Sequence, residues 1–165
     1  MTDRPLAVLG GGNTAFAVAA CLTLQGRRVV LAEVPEFAAA LDPIRPAGAI
    51  HLRGVAGEGK AALHHLTTDL GEALAEAELA LLIVPAYAHR PFARACLPHL
   101  RPHHTVVLMP GTLGSLEWAQ LLYQAGVEGV TLAEVDTAPY VCRKTAPDTA
   151  TIWGVVKGGC NRIQM

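Results

Sequence analysis

Charge and aromatic rings are scarce in this sequence: of 165 residues, 16% are Asp, Glu, Lys or Arg and 5% are Phe, Trp or Tyr. A formal net charge of -1 supplies no basic stripe, which argues against nucleic acid and against an anionic membrane surface as partners. Long hydrophobic runs are missing as well. The apolar stretch that follows Pro5 is cut by Gly10 to Gly12 before it reaches the length of a signal-peptide core or a membrane helix, so a cytoplasmic location is expected. Paired cysteine spacing is also lacking. Cys21, Cys96, Cys142 and Cys160 are scattered, which points away from a disulfide framework or a zinc site, and no metal is expected. Cys21 and Cys96 fall among apolar residues on predicted helices, where thiols pack as small hydrophobes.

What is abundant is aliphatic bulk. Hydrophobic residues make up 52% of the chain, so either its strands are buried on both faces or a partner covers part of its surface. The length suits one domain, in which roughly 70% of the surface of the unfolded chain is buried. Strand, glycine turn, helix and strand follow one another over Leu6–Leu9, Gly10–Gly12, Asn13–Leu24 and Val29–Ala32. That succession begins a parallel sheet.

A less regular region comes next. Pro35 to Leu41 reads as a short helix, and Ile50–Leu52 with Ala61–Leu66 as short strands in an excursion at the sheet edge. The alternation then resumes with a helix over Leu70–Ala77, a strand over Leu79–Val84, a helix over Tyr87–Leu97 and a strand over Thr105–Met109. Leu116–Gln124 reads as a helix, Val130–Val135 as a strand and Thr149–Val156 as a last strand. The expected fold is α/β: a Rossmann-type, doubly wound, mostly parallel sheet with helices on both faces. Its domain spans residues 1–157, followed by a short tail over 158–165.

Gly10 to Ala15 reads G-x-G-x-x-A. Gly10 allows the tight turn, Gly12 leaves room for a pyrophosphate beside the backbone, and Ala15 lets helix pack closely on strand. Free N–H groups at the helix start then face the anion. Glu33 closes the second strand, 21 residues after Gly12, where a carboxylate accepts hydrogen bonds from the adenosine ribose. A ribose phosphate would meet like charge there, so NAD is favoured over NADP. Asn13 either caps its helix or lines the anion-binding turn. Pro85 and Ala86, like Pro110 and Gly111, follow strands at the ends where ligands cross open α/β sheets, and also suit ordinary strand-to-helix turns. His51, His64, His65, His99, His103 and His104 fall on segments read as surface and form no zinc set.

The glycine turn is joined by Val84-Pro85-Ala86-Tyr87-Ala88-His89, by Met109-Pro110-Gly111 and by the run from Ala133 through Glu134, Thr137 and Cys142 to Arg143. With these segments the chain resembles the N-terminal domain of the opine dehydrogenase family, which includes octopine and nopaline dehydrogenases. The likeness runs from about Leu6 to Lys157, and is more distant to ketopantoate reductases and 6-phosphogluconate dehydrogenases. That family reductively joins an amino acid to a 2-oxo acid with NADH or NADPH. The resemblance implies that Gly10, Gly12, Ala15 and Glu33 hold the adenosine side and pyrophosphate, while Pro85 and Pro110 line the path to the nicotinamide. It sets Glu134 and Thr137 near the nicotinamide or the amino-acid substrate, although Glu134 could equally cap its turn or form a structural ion pair.

His89 is read as a first-turn contact near the cofactor, and no catalytic residue is assigned. The family's catalytic histidine belongs to a second domain that this chain is expected to lack. Full activity is then expected to require another domain or chain. The alternatives are a noncatalytic NAD(H)-binding or sensor module, or a truncated domain acting only in an assembly, as a homodimer or with a partner that supplies the missing domain.

Overall fold

The computed structural model describes residues 4–164. Among the described residues, eleven strands and four α-helices follow one another: β1 (Leu6–Leu9), α1 (Asn13–Leu24), β2 (Val29–Ala32), β3 (Ala49–Gly54), β4 (Gly59–Ala62), β5 (His65–Thr67), α2 (Leu70–Glu76), β6 (Leu79–Leu82), α3 (His89–Cys96), β7 (Thr105–Leu108), α4 (Gly114–Gln124), β8 (Thr131–Val135), β9 (Tyr140–Ala146), β10 (Thr149–Val155) and β11 (Cys160–Gln164). Short 3-10 turns occupy Pro35–Ala40, Ala86–Ala88 and Leu97–His99.

The main sheet has seven strands in the order β11-β8-β7-β6-β1-β2-β5. Six of them are parallel, and β11 alone pairs antiparallel, against β8. From β1 the chain winds outward through β2 to β5, then returns to place β6 against the other side of β1. Strand order therefore reverses between β1 and β6, the position at which doubly wound sheets bind ligands.

Alternate residues of each strand serve two cores. Ala7, Leu9, Val30, Ala32, Leu82 and Leu108 face α2, α3 and α4, where Leu74, Phe92, Trp118 and Leu122 meet them. Leu6, Val8, Val29, Leu31, Leu81 and Ile83 face α1. Both faces are covered, so the strands are apolar throughout.

Three expectations from sequence are corrected here. The excursion after β2 is not an edge of the main sheet, because β3 and β4 join β10 and β9 in a separate four-stranded sheet ordered β4-β3-β10-β9. Ala61–Leu66 is not one strand: its first residues end β4, and its last begin β5 in the other sheet. The strand at Thr149 lies in this second sheet, parallel to β3 and antiparallel to β9. The second sheet packs on α1 and makes that helix the middle layer of a sandwich. Cys160–Gln164, which carry no strand signal in the sequence, extend the main sheet as β11.

Candidate cofactor site

Each glycine of the turn after β1 has a different physical reason to be there. Gly10 has φ +123°, and a Cβ on it would stand 2.5 Å from the carbonyl oxygen of Ile83, so a side chain would force β1 away from the chain just beyond β6. At Gly11 a Cβ would meet the Ala40 methyl at 2.7 Å and the Glu33 carboxylate at 3.0 Å. Gly12 is the N-cap of α1 with φ -80°, a conformation open to any residue, and a Cβ there would meet no atom within 4 Å. Neither backbone strain nor packing within the protein requires glycine at this third position. What the missing side chain leaves is open space at a helix N-terminus.

That space is a cleft of about 310 Å³ lined by Gly12, Asn13, Thr14, Ile83, Val84, Pro85, Met109 and Pro110. Gly12, Asn13, Pro85 and Pro110, named from sequence, are thereby brought together where strand order reverses. Ala15 is fully buried beneath the turn. Ala86 opens the 3-10 turn before α3 and is exposed. Gly111 is buried under Glu134.

Glu33 is buried, at 6% exposure, and folds back onto the turn. Its Oε2 accepts the Gly11 N–H at 2.6 Å and its Oε1 accepts the Val34 N–H at 2.9 Å. Burial raises its pKa, while those two N–H groups and the Lys144 ammonium oppose the rise. Each carboxylate oxygen keeps a further lone pair for another donor.

A second depression of about 450 Å³ lies beyond Glu33, between Val34, Pro35 and Glu36 on one side and Thr68, Asp69, Leu70, Ala95 and His99 on the other. Carboxylates at Glu36 and Asp69 line it. Asp69 also caps α2, its Oδ1 accepting the N–H groups of Gly71 at 2.8 Å and Glu72 at 3.2 Å.

Other residues named from sequence turn out to have structural work. Asn13 does not cap α1, because Gly12 holds that position; its Oδ1 instead accepts the Lys144 N–H of β9 at 2.8 Å. Glu134 caps α4, accepting the Ser115 N–H at 3.1 Å. Thr137 is half-buried beside Gly158, in the turn between β8 and β9. His89 is 2% exposed in the first turn of α3; its carbonyl accepts the Trp118 indole N–H at 3.1 Å, and its ring would collide with any Cβ on Gly114. Burial lowers the His89 pKa, which disfavours the imidazolium. His104 is not a surface residue: it too is 2% exposed.

One curated relative, the opine dehydrogenase of Arthrobacter sp. (strain 1C), is 33% identical over 157 residues, which cover 94% of this chain and 43% of that enzyme. The chain is related to the N-terminal, Rossmann-type NAD(P)-binding domain of the opine dehydrogenases. It spans less than half the length of that relative. No protein-family model matches the chain. Among solved structures, octopine dehydrogenase in complex with NADH and agmatine superposes with a TM-score of 0.86 at 20% identity, over 98% of this chain and 42% of that one. NADP+-bound yersinopine dehydrogenase gives 0.74 at 19% identity, over 94% of this chain and 40% of that one. The fold is thus shared by proteins solved with either dinucleotide.

Within this domain, sequence reasoning missed Lys144. Its Nζ donates to the Gly11 carbonyl at 2.9 Å and lies 4.1 Å from the centre of the Phe16 ring. The only signal available was the alternation of Tyr140, Cys142 and Lys144 along a strand whose position in the fold the sequence does not reveal.

Proposed function

We propose that this chain is the cofactor-binding part of an opine dehydrogenase-type oxidoreductase, holding NAD(H) while an amino acid's amine and a 2-oxo acid are joined reductively. The observation that carries this reading is the open space over Gly12, at the N-terminus of α1 and at the reversal of strand order. A glycine with no structural need to be glycine, facing a cleft, fits close approach of a pyrophosphate to helix N–H groups. The bound dihydronicotinamide supplies the hydride.

The residues of this chain bind, orient and exclude water. Gly10 keeps the chain beyond β6 against the turn, and α1 presents its free N–H groups to the diphosphate. Val84, Pro85, Met109 and Pro110 give the far side of the cleft an apolar wall, which keeps solvent from the reacting carbon. Glu33 receives ribose hydroxyl donors on its remaining lone pairs. NAD is favoured over NADP because a 2'-phosphate would bring about -1.5 to -2 charges, as phosphate monoesters carry near neutral pH, toward Glu33 and the depression beside it lined by Glu36 and Asp69.

A second reading is saturable NAD(H) binding without turnover by this chain alone. It is favoured by the commitment of Glu134 to capping α4 and of His89 to the core, which leaves neither as a positioned proton donor. Reductive condensation, followed by loss of NADH absorbance with paired amines and 2-oxo acids, separates the two.

Calorimetric titration with NADH and NADPH tests the site. NADH is expected to bind more tightly than NADPH. Gly12→Val should abolish binding while costing the fold about 1 kcal/mol of helix capping. Absence of NADH binding by the folded protein overturns the cofactor reading, and binding unchanged in Gly12→Val overturns its placement.

A further inference from the structure

The second sheet lays one face of β9 along α1. Tyr140 donates its hydroxyl to the Cys21 sulfur at 3.2 Å, the Cys142 thiol contacts the Thr14 hydroxyl at 3.7 Å, and Lys144 reaches the glycine turn. At that turn the two peptide groups flanking Gly11 are held by opposite charges. The N–H of Gly11 donates to Glu33 at 2.6 Å, and its carbonyl accepts from the Lys144 ammonium at 2.9 Å. The backbone of Lys144 is itself fixed, its N–H donating to Asn13 at 2.8 Å. β9 therefore grips both the glycine turn and the first residue of α1.

This arrangement costs something. Burial disfavours the charged form of each partner, lowering the pKa of Lys144 and raising that of Glu33, and each charge partly offsets the cost of the other. Removing Lys144 leaves Glu33 with only the Gly11 and Val34 N–H groups to oppose the cost of its burial. A buried carboxylate alone beside an anion-binding turn would repel a diphosphate. Lys144 partly offsets that charge from the α1 side, leaving the cleft above Gly12 open.

We propose that Lys144 is a positioning residue of the dinucleotide site: with Glu33 it clamps the Gly11 peptides from both ends, fixing the turn that presents Gly12 and the α1 N–H groups to the pyrophosphate. The second sheet is thus part of the cofactor site, although none of its residues lines the cleft. The inference rests on the cofactor reading above, and Gly12→Val keeps the two separable.

The test is NADH titration of the whole chain by fluorescence, with a thermal melt of each variant. Wild-type binding that is lost in Gly12→Val establishes the site independently of Lys144. Lys144→Met should then weaken NADH binding about tenfold or more, the scale of one lost charge-assisted hydrogen bond. Lys144→Arg, which keeps the charge and a donor, should bind within about threefold of wild type, on the same scale. Lys144→Gln keeps a donor without charge and covers the case in which the Met variant does not fold; it is expected between the two. In Glu33→Gln, adding Lys144→Met should cost less than it does alone, because the two residues hold one peptide segment. A folded Met or Gln variant with wild-type affinity overturns the clamp, as does an Arg variant as weak as Met. A wild-type protein that fails to bind NADH overturns the cofactor reading, and the clamp with it.

Discussion

The two faces of the main sheet are built on different plans. On one, α1 lies between two sheets, and seven consecutive residues from Ala15 to Cys21 are buried, five of them alanine or cysteine. On the other, α2, α3 and α4 each bury a single stripe; α3 sets His89, Phe92, Ala93 and Cys96 inward and leaves Arg90 and Arg94 exposed. A helix apolar all round must be covered all round. The small side chains of α1 let both sheets approach, and the helix that carries the glycine turn is immobilised from two sides. A cofactor turn benefits from such rigidity, since misplaced donors lose their advantage.

The comparison is broken most severely at Phe16, which is fully buried where α1, the turn and Lys144 meet. Phe16→Ala should cost about 3–5 kcal/mol, as large aromatic truncations in cores do. Because the ammonium loses its aromatic neighbour, NADH affinity should fall as well. Chemical denaturation and NADH titration measure the two effects. Trp118→Ala, an equally buried truncation on the opposite face, should cost similar stability without the loss of affinity among molecules that remain folded.

Enlarging a small residue sharpens the contrast from the other direction. Ala19 is fully buried in α1, whereas Ala119 in α4 is only half-buried. Ala19→Leu should destabilise by about 1–3 kcal/mol through overpacking between the two sheets. Ala119→Leu should stay within about 0.5 kcal/mol of wild type, as substitutions near a surface do. Equal effects in denaturant melts would show that α1 is not squeezed as the layers imply.

On the helical face the notable buried polar group is His104. Its Nδ1 accepts the Arg101 N–H at 2.8 Å and its Nε2 donates to the Leu74 carbonyl at 3.0 Å, so the neutral ring is satisfied at both nitrogens. His104→Ala strands those partners and should cost about 1–3 kcal/mol. Burial lowers the pKa of His104 below 6.5, and that of His89 in the same way. The unfolded chain then binds more protons, so the stability present above pH 6.5 is lost as the pH falls through the folded values. Thermal midpoints should drop on acidification below pH 6.5, less steeply in His104→Gln, with the remaining slope due in part to His89.

How much of this was legible in the sequence depended on distance along the chain. The strand, turn and helix from Leu6 to Leu24 carry their signals locally, in an apolar run, three glycines and a second apolar run, and they stand where expected. So do β6, which is fully aliphatic, and β7, which is aliphatic after Thr105. The second sheet was illegible because β3 pairs with β10, some hundred residues away, and because its inward residues are recognised only once α1 lies beneath them. The position of Glu33, just after β2 and against the turn, was legible through its spacing from Gly12. Lys144 was not: its bond to Gly11 spans 133 residues, and an alternating strand with polar residues on both faces reads equally well as a surface hairpin. Of the two roles open to Asn13, the cap is not made, because Gly12 holds that position and the Asn13 side chain bonds Lys144 across the fold, while the residue does line the cleft.

The weakest expected effect concerns the tie between α3 and α4. Arg90 Nε donates to Glu117 Oε1 at 2.6 Å, with the two side chains 53% and 33% exposed. A short distance would suggest strength. Exposure argues otherwise, because water screens the pair and holding two long side chains costs entropy, so such pairs contribute roughly 0.2–1 kcal/mol. A double-mutant cycle with Arg90→Ala and Glu117→Ala should give a coupling in that range that shrinks in high salt. A salt-insensitive coupling well above it would mean that the helical face, like the α1 face, depends on held charges, and the contrast between the two faces would then be one of packing alone.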